Sequence, residues 1–198
     1  MTQESNKKPI ILASQSPRRA DLLRKAGIDF EIARPKHQEP DPHGWRLSPE
    51  EYAEAASYFK ARSVADDHPD RLILAADTVV ALKGKMFGKP DDENDARRIL
   101  SSLMGTTHQV ITGVTLYEPA SGRRLISHDC TRVTMRKMSD HEFNTYLASR
   151  EWEGKAGAYG IQDNADKFID HTDGSFSNIV GLPMEMLKTM LVKFGIDI

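Results

Sequence analysis

Along this chain the apolar positions switch between continuous runs, which suit buried strands, and a helical spacing of three and four. Ile10-Ile11-Leu12-Ala13 is a run of strand length, followed by Ser14-Gln15 and then a helix. Ser16 suits the N-cap and Pro17 the first helical position, Ala20, Leu22, Leu23 and Ala26 form the apolar face, and Gly27 ends it. A short strand from Phe30 to Ala33 runs into an irregular segment, Arg34 to Leu47, with three prolines and a glycine. Ser48-Pro49-Glu50-Glu51 is a capping box with proline at N1, and it predicts a helix that buries Tyr52, Ala55, Ala56 and Phe59.

Further on, Arg71 to Leu82 has the pattern of a strand on both sides of Asp77, and Lys83-Gly84-Lys85 turns it back into Met86-Phe87. After Pro90, the acids Asp91, Asp92 and Glu93 occupy a first helical turn, where the helix dipole favours them. Ala96, Ile99, Leu100, Leu103 and Met104 then follow the i, i+3, i+4, i+7, i+8 spacing of one helix face. Strands are predicted at Gln109 to Tyr117 and Leu125 to Met135, joined at Ser121-Gly122. A second capping box, Ser139-Asp140-His141-Glu142, precedes Phe143, Tyr146 and Leu147. A glycine-rich stretch spans Gly154 to Gly160. Phe168-Ile169 and Phe176 to Val180 flank Asp173-Gly174, which predicts a hairpin or wide turn. A last helix starts at Pro183 and carries Leu187, Met190, Leu191 and Phe194 on one side. Helices and strands are interspersed without an internal repeat, so the class is α/β with a mixed sheet.

A chain of 198 residues can build a single domain, here 1–198 with flexible residues 1–8, and bury a sizeable core. Its 27 basic and 29 acidic residues give a formal charge of -2, which argues against a sequence-independent grip on nucleic acid. The apolar runs Leu72 to Ala76 and Val79 to Leu82 are broken by Asp77-Thr78, so no membrane span is expected. The first eight residues are polar and hold no apolar region for secretion. Cys130, the only cysteine, allows neither an intrachain disulfide nor a cysteine-built zinc site and reads as a small core residue. These features point to a cytoplasmic protein.

Three places are costly unless they do chemistry. Arg18-Arg19 put two cations in the opening turn of a helix, against its dipole, at about 0.3–1 kcal/mol for each exposed charge. An anion bound there reverses the sign, and Ser14 and Ser16 add hydroxyls. Asp77 lies within an apolar strand, so it requires a strand end, a cation or a metal. Lys89, between Gly88 and Pro90, is a candidate partner or phosphate ligand, and Lys60 leans towards the apolar face of its helix. Lys155-Ala156-Gly157-Ala158-Tyr159-Gly160-Ile161-Gln162 permits close backbone approach to a ligand, but it is neither a dinucleotide fingerprint nor a P-loop. The histidines form no close metal-binding pair, and no G-x-S-x-G nucleophile elbow is present.

Taken in order, Ser14-Gln15-Ser16-Pro17-Arg18-Arg19, Ala76-Asp77-Thr78, Gly88-Lys89-Pro90, Gln109-Val110-Ile111-Thr112-Gly113, Lys155 to Gln162 and Asn178-Ile179-Val180-Gly181-Leu182-Pro183 resemble the Maf family of nucleoside triphosphate pyrophosphatases. The likeness covers about residues 10 to 192. It implies an elongated α/β fold similar to inosine triphosphate pyrophosphatases, with a cleft between two lobes. It also implies hydrolysis of a nucleoside triphosphate to the monophosphate and pyrophosphate with a divalent metal, Mg²⁺ or Mn²⁺. Ala76-Asp77-Thr78 and Ala158 to Gln162 resemble the dTTP/UTP-preferring branch, which implies removal of non-standard or excess pyrimidine nucleotides. By position, Ser14, Arg18, Arg19, Lys60 and Lys89 match the phosphate-binding set, Asp77 the catalytic acid, and Gln162 a base- or water-contacting position. Asp77 and Glu39 match the metal ligands.

Asp163 stands where the family commonly has glycine, and Ala56-Ser57-Tyr58-Phe59 precedes Lys60 where an Arg-Leu-Ala pattern is usual. The resemblance also suggests a homodimer. Two other readings remain open at this point: cleavage at the β–γ bond, and a nucleotide-binding regulator of cell division without significant turnover.

Overall fold

The structure is a computed structural model that describes residues 8–36, 47–161 and 164–196. Residues 1–7, Glu39, Gln162 and Asp163 therefore lie outside the described residues. A seven-stranded mixed sheet organises the chain. Its strands are β1 (Ile10–Ala13), β2 (Phe30–Ala33), β3 (Ile73–Leu82), β4 (Lys85–Phe87), β5 (Thr107–Glu118), β6 (Arg123–Met135) and β7 (Ile169–Asp173). They run in the order β2-β1-β3-β5-β6-β7, with the short β4 paired to β3. β1 is parallel to both β2 and β3, and every other pairing is antiparallel. The helices are α1 (Pro17–Lys25), α2 (Pro49–Ser63), α3 (Glu93–Leu103), α4 (Asp140–Ala148), α5 (Phe176–Val180) and α6 (Met184–Lys193).

Sequence chemistry sets most of these boundaries. Both capping boxes form: Ser48 and Glu51 close the start of α2, and Ser139 and Glu142 that of α4. Asp92 caps α3 by accepting from the Asp95 amide at 2.7 Å. α3 buries Ala96, Ile99, Leu100 and Leu103, the face expected from their spacing. Two large apolar clusters result. One joins α3 and α4 to Trp152, Tyr159 and Phe168, and the other joins β1 and α1 to α6. Each fully buried Leu or Ile in them contributes about 1.5–3 kcal/mol.

Two expectations are corrected. Phe176 to Val180 is a helix rather than one arm of a hairpin. Ser175 caps it by accepting from the Asn178 amide, and Gly181, at φ +115°, ends it in the left-handed region that glycine tolerates. On α2, Tyr52 and Ala56 are buried as expected, but Ala55 is only half-buried and Phe59 is 45% exposed. Ala53 and Ser57 face the sheet instead, because helix and sheet approach too closely for a large side chain. A Cβ on Gly113 of β5 would lie 2.2 Å from the Ala53 carbonyl oxygen. Ser57 Oγ settles the contact with a 2.7 Å hydrogen bond to Thr115 Oγ1. No helix among the described residues is long and apolar enough to cross a membrane.

Candidate active site

A cleft of about 1040 Å³ is lined by Ser14, Arg18, Arg19, Lys60, Asp77 and Lys89 together. Every sequence-predicted site residue within the described part of the chain therefore meets in one cavity. Ser14 follows the end of β1, and its hydroxyl accepts from the Ser16 amide at 3.2 Å. Ser16, the N-cap of α1, makes no side-chain cap bond. The opening turn of α1 thus presents backbone N–H groups to the cleft beside the half-buried Arg18, an arrangement suited to an anion.

The two arginines differ in how they are held. Arg19 is buried, and its Nε donates to the Gly181 carbonyl at 2.7 Å. Its Nη1 donates to Ser14 Oγ at 3.2 Å and its Nη2 to Thr78 Oγ1 at 3.0 Å. From Thr78 the bonding continues to Thr112 Oγ1 at 2.9 Å, whose hydroxyl donates to the Asn178 carbonyl at 3.1 Å. Asn178 Nδ2 in turn donates to the Val110 carbonyl and to Thr131 Oγ1, each at 2.9 Å. This network ties α1, β3, β5, β6 and α5 together behind the cleft. It gives a physical role to Thr78, Asn178 and Gly181, to which sequence reasoning assigned none. The signal was there: a buried asparagine needs partners, and Asn178 is followed by the apolar pair Ile179-Val180 ahead of Gly181.

Asp77 lies in the middle of β3, opposite Gly113 on β5, and is buried. Its requirement for a cation is met by Lys60 of α2, whose Nζ bonds Oδ1. Lys60 reaches this point because the small face of α2 sits directly on Gly113. Lys89 is placed by a neighbouring contact, since the Gly88 carbonyl accepts from the Gly157 amide at 3.0 Å.

The glycine-rich stretch forms the other wall, with Lys155, Ala156, Tyr159, Gly160 and Ile161 on the cleft. Gly157 at φ +73° and Ala158 at φ +62° are consecutive left-handed residues. The alanine does so at a cost of about 1–2 kcal/mol. Tyr146 Oη donates to the Ala158 carbonyl at 3.3 Å, and Tyr159 Oη lies 2.7 Å from His108 Nε2. Burial pushes the Tyr159 hydroxyl above its usual range and holds the His108 imidazole down at about 4, so both are neutral at pH 7. Lys155 is a further buried cation on the cleft that residue-type reasoning passed over. No group of three metal-ligating side chains occurs among the described residues.

A sequence profile described as "Maf-like protein" matches residues 9–194. The chain belongs to the Maf family. Members similar to it include proteins named dTTP/UTP pyrophosphatase in Pelotomaculum thermopropionicum and Dictyoglomus thermophilum. The first is 43% identical, with 96% of this chain and 99% of the relative covered. The second is 42% identical, covering 96% and 97%. Another of that name, from Nitratidesulfovibrio vulgaris, is 43% identical and covers 94% of this chain and 88% of its own. The Maf fold here is also similar to a HAM1 protein from Coxiella burnetii. The TM-score is 0.50 at 14% identity, with 93% of this chain and 98% of that one covered, a likeness of fold alone.

Proposed function

We propose that this Maf protein hydrolyses dTTP and UTP to the monophosphate and pyrophosphate. The observation that carries the reading is the meeting of Ser14, Arg18, Arg19, Lys60 and Lys89 with one buried carboxylate, Asp77, in a single cleft. A triphosphate brings about four negative charges, and positioning with charge stabilisation supplies most of the catalysis in phosphoryl chemistry. Relatives at 42–43% identity over nearly the whole chain carry the dTTP/UTP pyrophosphatase name, which supports the same activity here.

In this reading the polyphosphate lies along the opening turn of α1, with its oxygens on Arg18, Lys60 and Lys89. Arg19, anchored to Ser14, Thr78 and Gly181, holds that wall rigid and adds positive potential. Asp77 orients a water and accepts its proton as the water oxygen bonds to the α-phosphorus. The bond from that phosphorus to the bridging oxygen breaks, and the leaving pyrophosphate keeps the electron pair with its charge spread over the cations. Tyr159, Gly160 and Ile161 line the cleft, and in this reading their backbone supplies a hydrogen-bonding edge for uracil or thymine, an edge of the kind that rejects purines strongly.

The donor set fits a hard divalent ion in one way. Among the described residues Asp77 offers the cleft one buried carboxylate, an oxygen donor that would suit Mg²⁺ or Mn²⁺, while Glu39, the other ligand implied by the resemblance, lies outside them. Such an ion would neutralise phosphate charge and make a water more acidic. The test is a panel of nucleoside triphosphates, with and without Mg²⁺ or Mn²⁺, assayed for both phosphate products. Pyrophosphate from UTP and dTTP supports the reading. Orthophosphate alone indicates cleavage at the β–γ bond, and tight binding without product indicates a sensor.

A further inference from the structure

His108 is one of the few buried polar side chains that the reaction does not use. It belongs to β5, faces Val133 of β6 in register, and is 2% exposed. Its Nε2 meets Tyr159 Oη at 2.7 Å, while its Nδ1 is buried without a hydrogen-bond partner. An orphaned N–H is rarer in protein interiors than an orphaned lone pair, so the favoured tautomer carries its proton on Nε2 and donates to Tyr159. The two rings also meet edge to face, with centroids 5.5 Å apart at 79°.

Tyr159 touches both regions: the residue lines the cleft and its hydroxyl is fixed in the core. It follows Gly157 and Ala158, whose left-handed conformation persists only if the surroundings enforce it. Contacts that do so include Gly157 N–H to the Gly88 carbonyl, Ala158 N–H to the Lys155 carbonyl, Tyr146 Oη to the Ala158 carbonyl, and Tyr159 Oη to His108. Only the last ends on a side chain that forces an unpaired polar atom into the core. A conventional apolar residue would avoid that cost, and the imidazole therefore serves the tyrosine it holds.

We propose that His108 is a positioning residue for base selection, anchoring Tyr159 so that residues 155–161 keep the shape that reads the pyrimidine edge. The inference rests on the pyrophosphatase reading above and deepens it. His108 touches no substrate; it acts through Tyr159. Loss of the anchor should loosen recognition of the base while the phosphate end, held by α1 and α2, keeps its geometry.

The test compares His108→Leu, His108→Gln and Tyr159→Phe with the wild type, using UTP, dTTP and GTP, alongside thermal melting. His108→Leu and Tyr159→Phe should raise KM for UTP and dTTP about tenfold, with kcat within about threefold, and narrow the preference over GTP. His108→Gln, whose amide can donate from near the Nε2 position, should restore most of that preference. Unchanged KM and preference in folded His108→Leu and Tyr159→Phe overturn the proposal, as does an equal loss of kcat/KM for all three nucleotides. Where His108→Leu does not fold, Tyr159→Phe, which removes one oxygen, decides alone. A wild type without turnover on any nucleotide overturns the pyrophosphatase reading and this one with it. Normal turnover with unaltered selectivity in the variants overturns only this one.

Discussion

The ammonium of Lys60 rests on Oδ1 of Asp77, and the two side chains are only 11% and 6% exposed. The pairing offsets the cost of burying a carboxylate within an apolar strand. The same contact joins α2 to β3 and carries a cation to the carboxylate that lines the cleft.

Replacing Asp77 by Asn keeps the shape and removes the charge and the proton acceptor. kcat should fall by about three orders of magnitude, with KM changed only a few-fold. Steady-state kinetics on UTP check this. Turnover near wild type would remove Asp77 from the chemistry.

Lys60→Met tests the pair from the other side. It leaves the Asp77 charge buried without its ammonium, and the folded state should lose about 3 kcal/mol in urea unfolding. Combined with Asp77→Asn the loss should be smaller than the sum of the single losses, because the Lys60→Met penalty arises mainly from the stranded carboxylate. Strict additivity would mean that the two groups do not interact.

Sequence and structure agree where a local rule acts alone. Ser48 with Glu51, Ser139 with Glu142, and the spacing from Ala96 to Leu103 each fix an element through contacts within a few residues, and each appears as read. Arg18, Arg19 and Asp77 were legible because charges in apolar or dipole-opposed positions are costly, whereas Lys60 and Lys89 entered the site through the family resemblance. What stayed hidden depends on contacts far apart in the chain. Phe59 faces solvent because Gly113, more than fifty residues later, admits only the small face of α2. Phe176 to Val180 looks like a strand by composition, yet the bonds of Asn178 to β5 and β6 hold it as a turn of helix. The contact of Lys60 with Asp77 likewise depends on how closely α2 meets the sheet.

Gly113→Ala should therefore act at two levels. Its Cβ would collide with the Ala53 backbone at 2.2 Å, and backbone cannot swing aside as a side chain can. Lifting α2 also draws Lys60 from Asp77. A stability loss of about 3 kcal/mol is expected, with kcat falling more than the fraction of unfolded protein explains. Urea unfolding and turnover on the same preparation separate the two effects.

His108 predicts an acid-side loss of stability with a defined window. Burial lowers its imidazole from 6.5 to about 4 in the folded protein. Between those values the unfolded chain takes up a proton that the folded chain refuses, so stability declines as pH falls from about 6.5 towards 4. Below about 4 both states are protonated and this contribution levels off. Its full size is on the order of 3 kcal/mol. Glu142 contributes in a lower window, since the Arg136 guanidinium and the Ser139 amide and hydroxyl hold it at about 2. Its share is present above 4.5 and is lost as pH falls through about 2. His108→Gln carries no titratable group at this position, so its stability measured by urea unfolding from pH 7.5 to 4.5 should decline less steeply than that of the wild type. Parallel curves for the two proteins would mean that the imidazole gains its proton as easily in the folded chain as in the unfolded one.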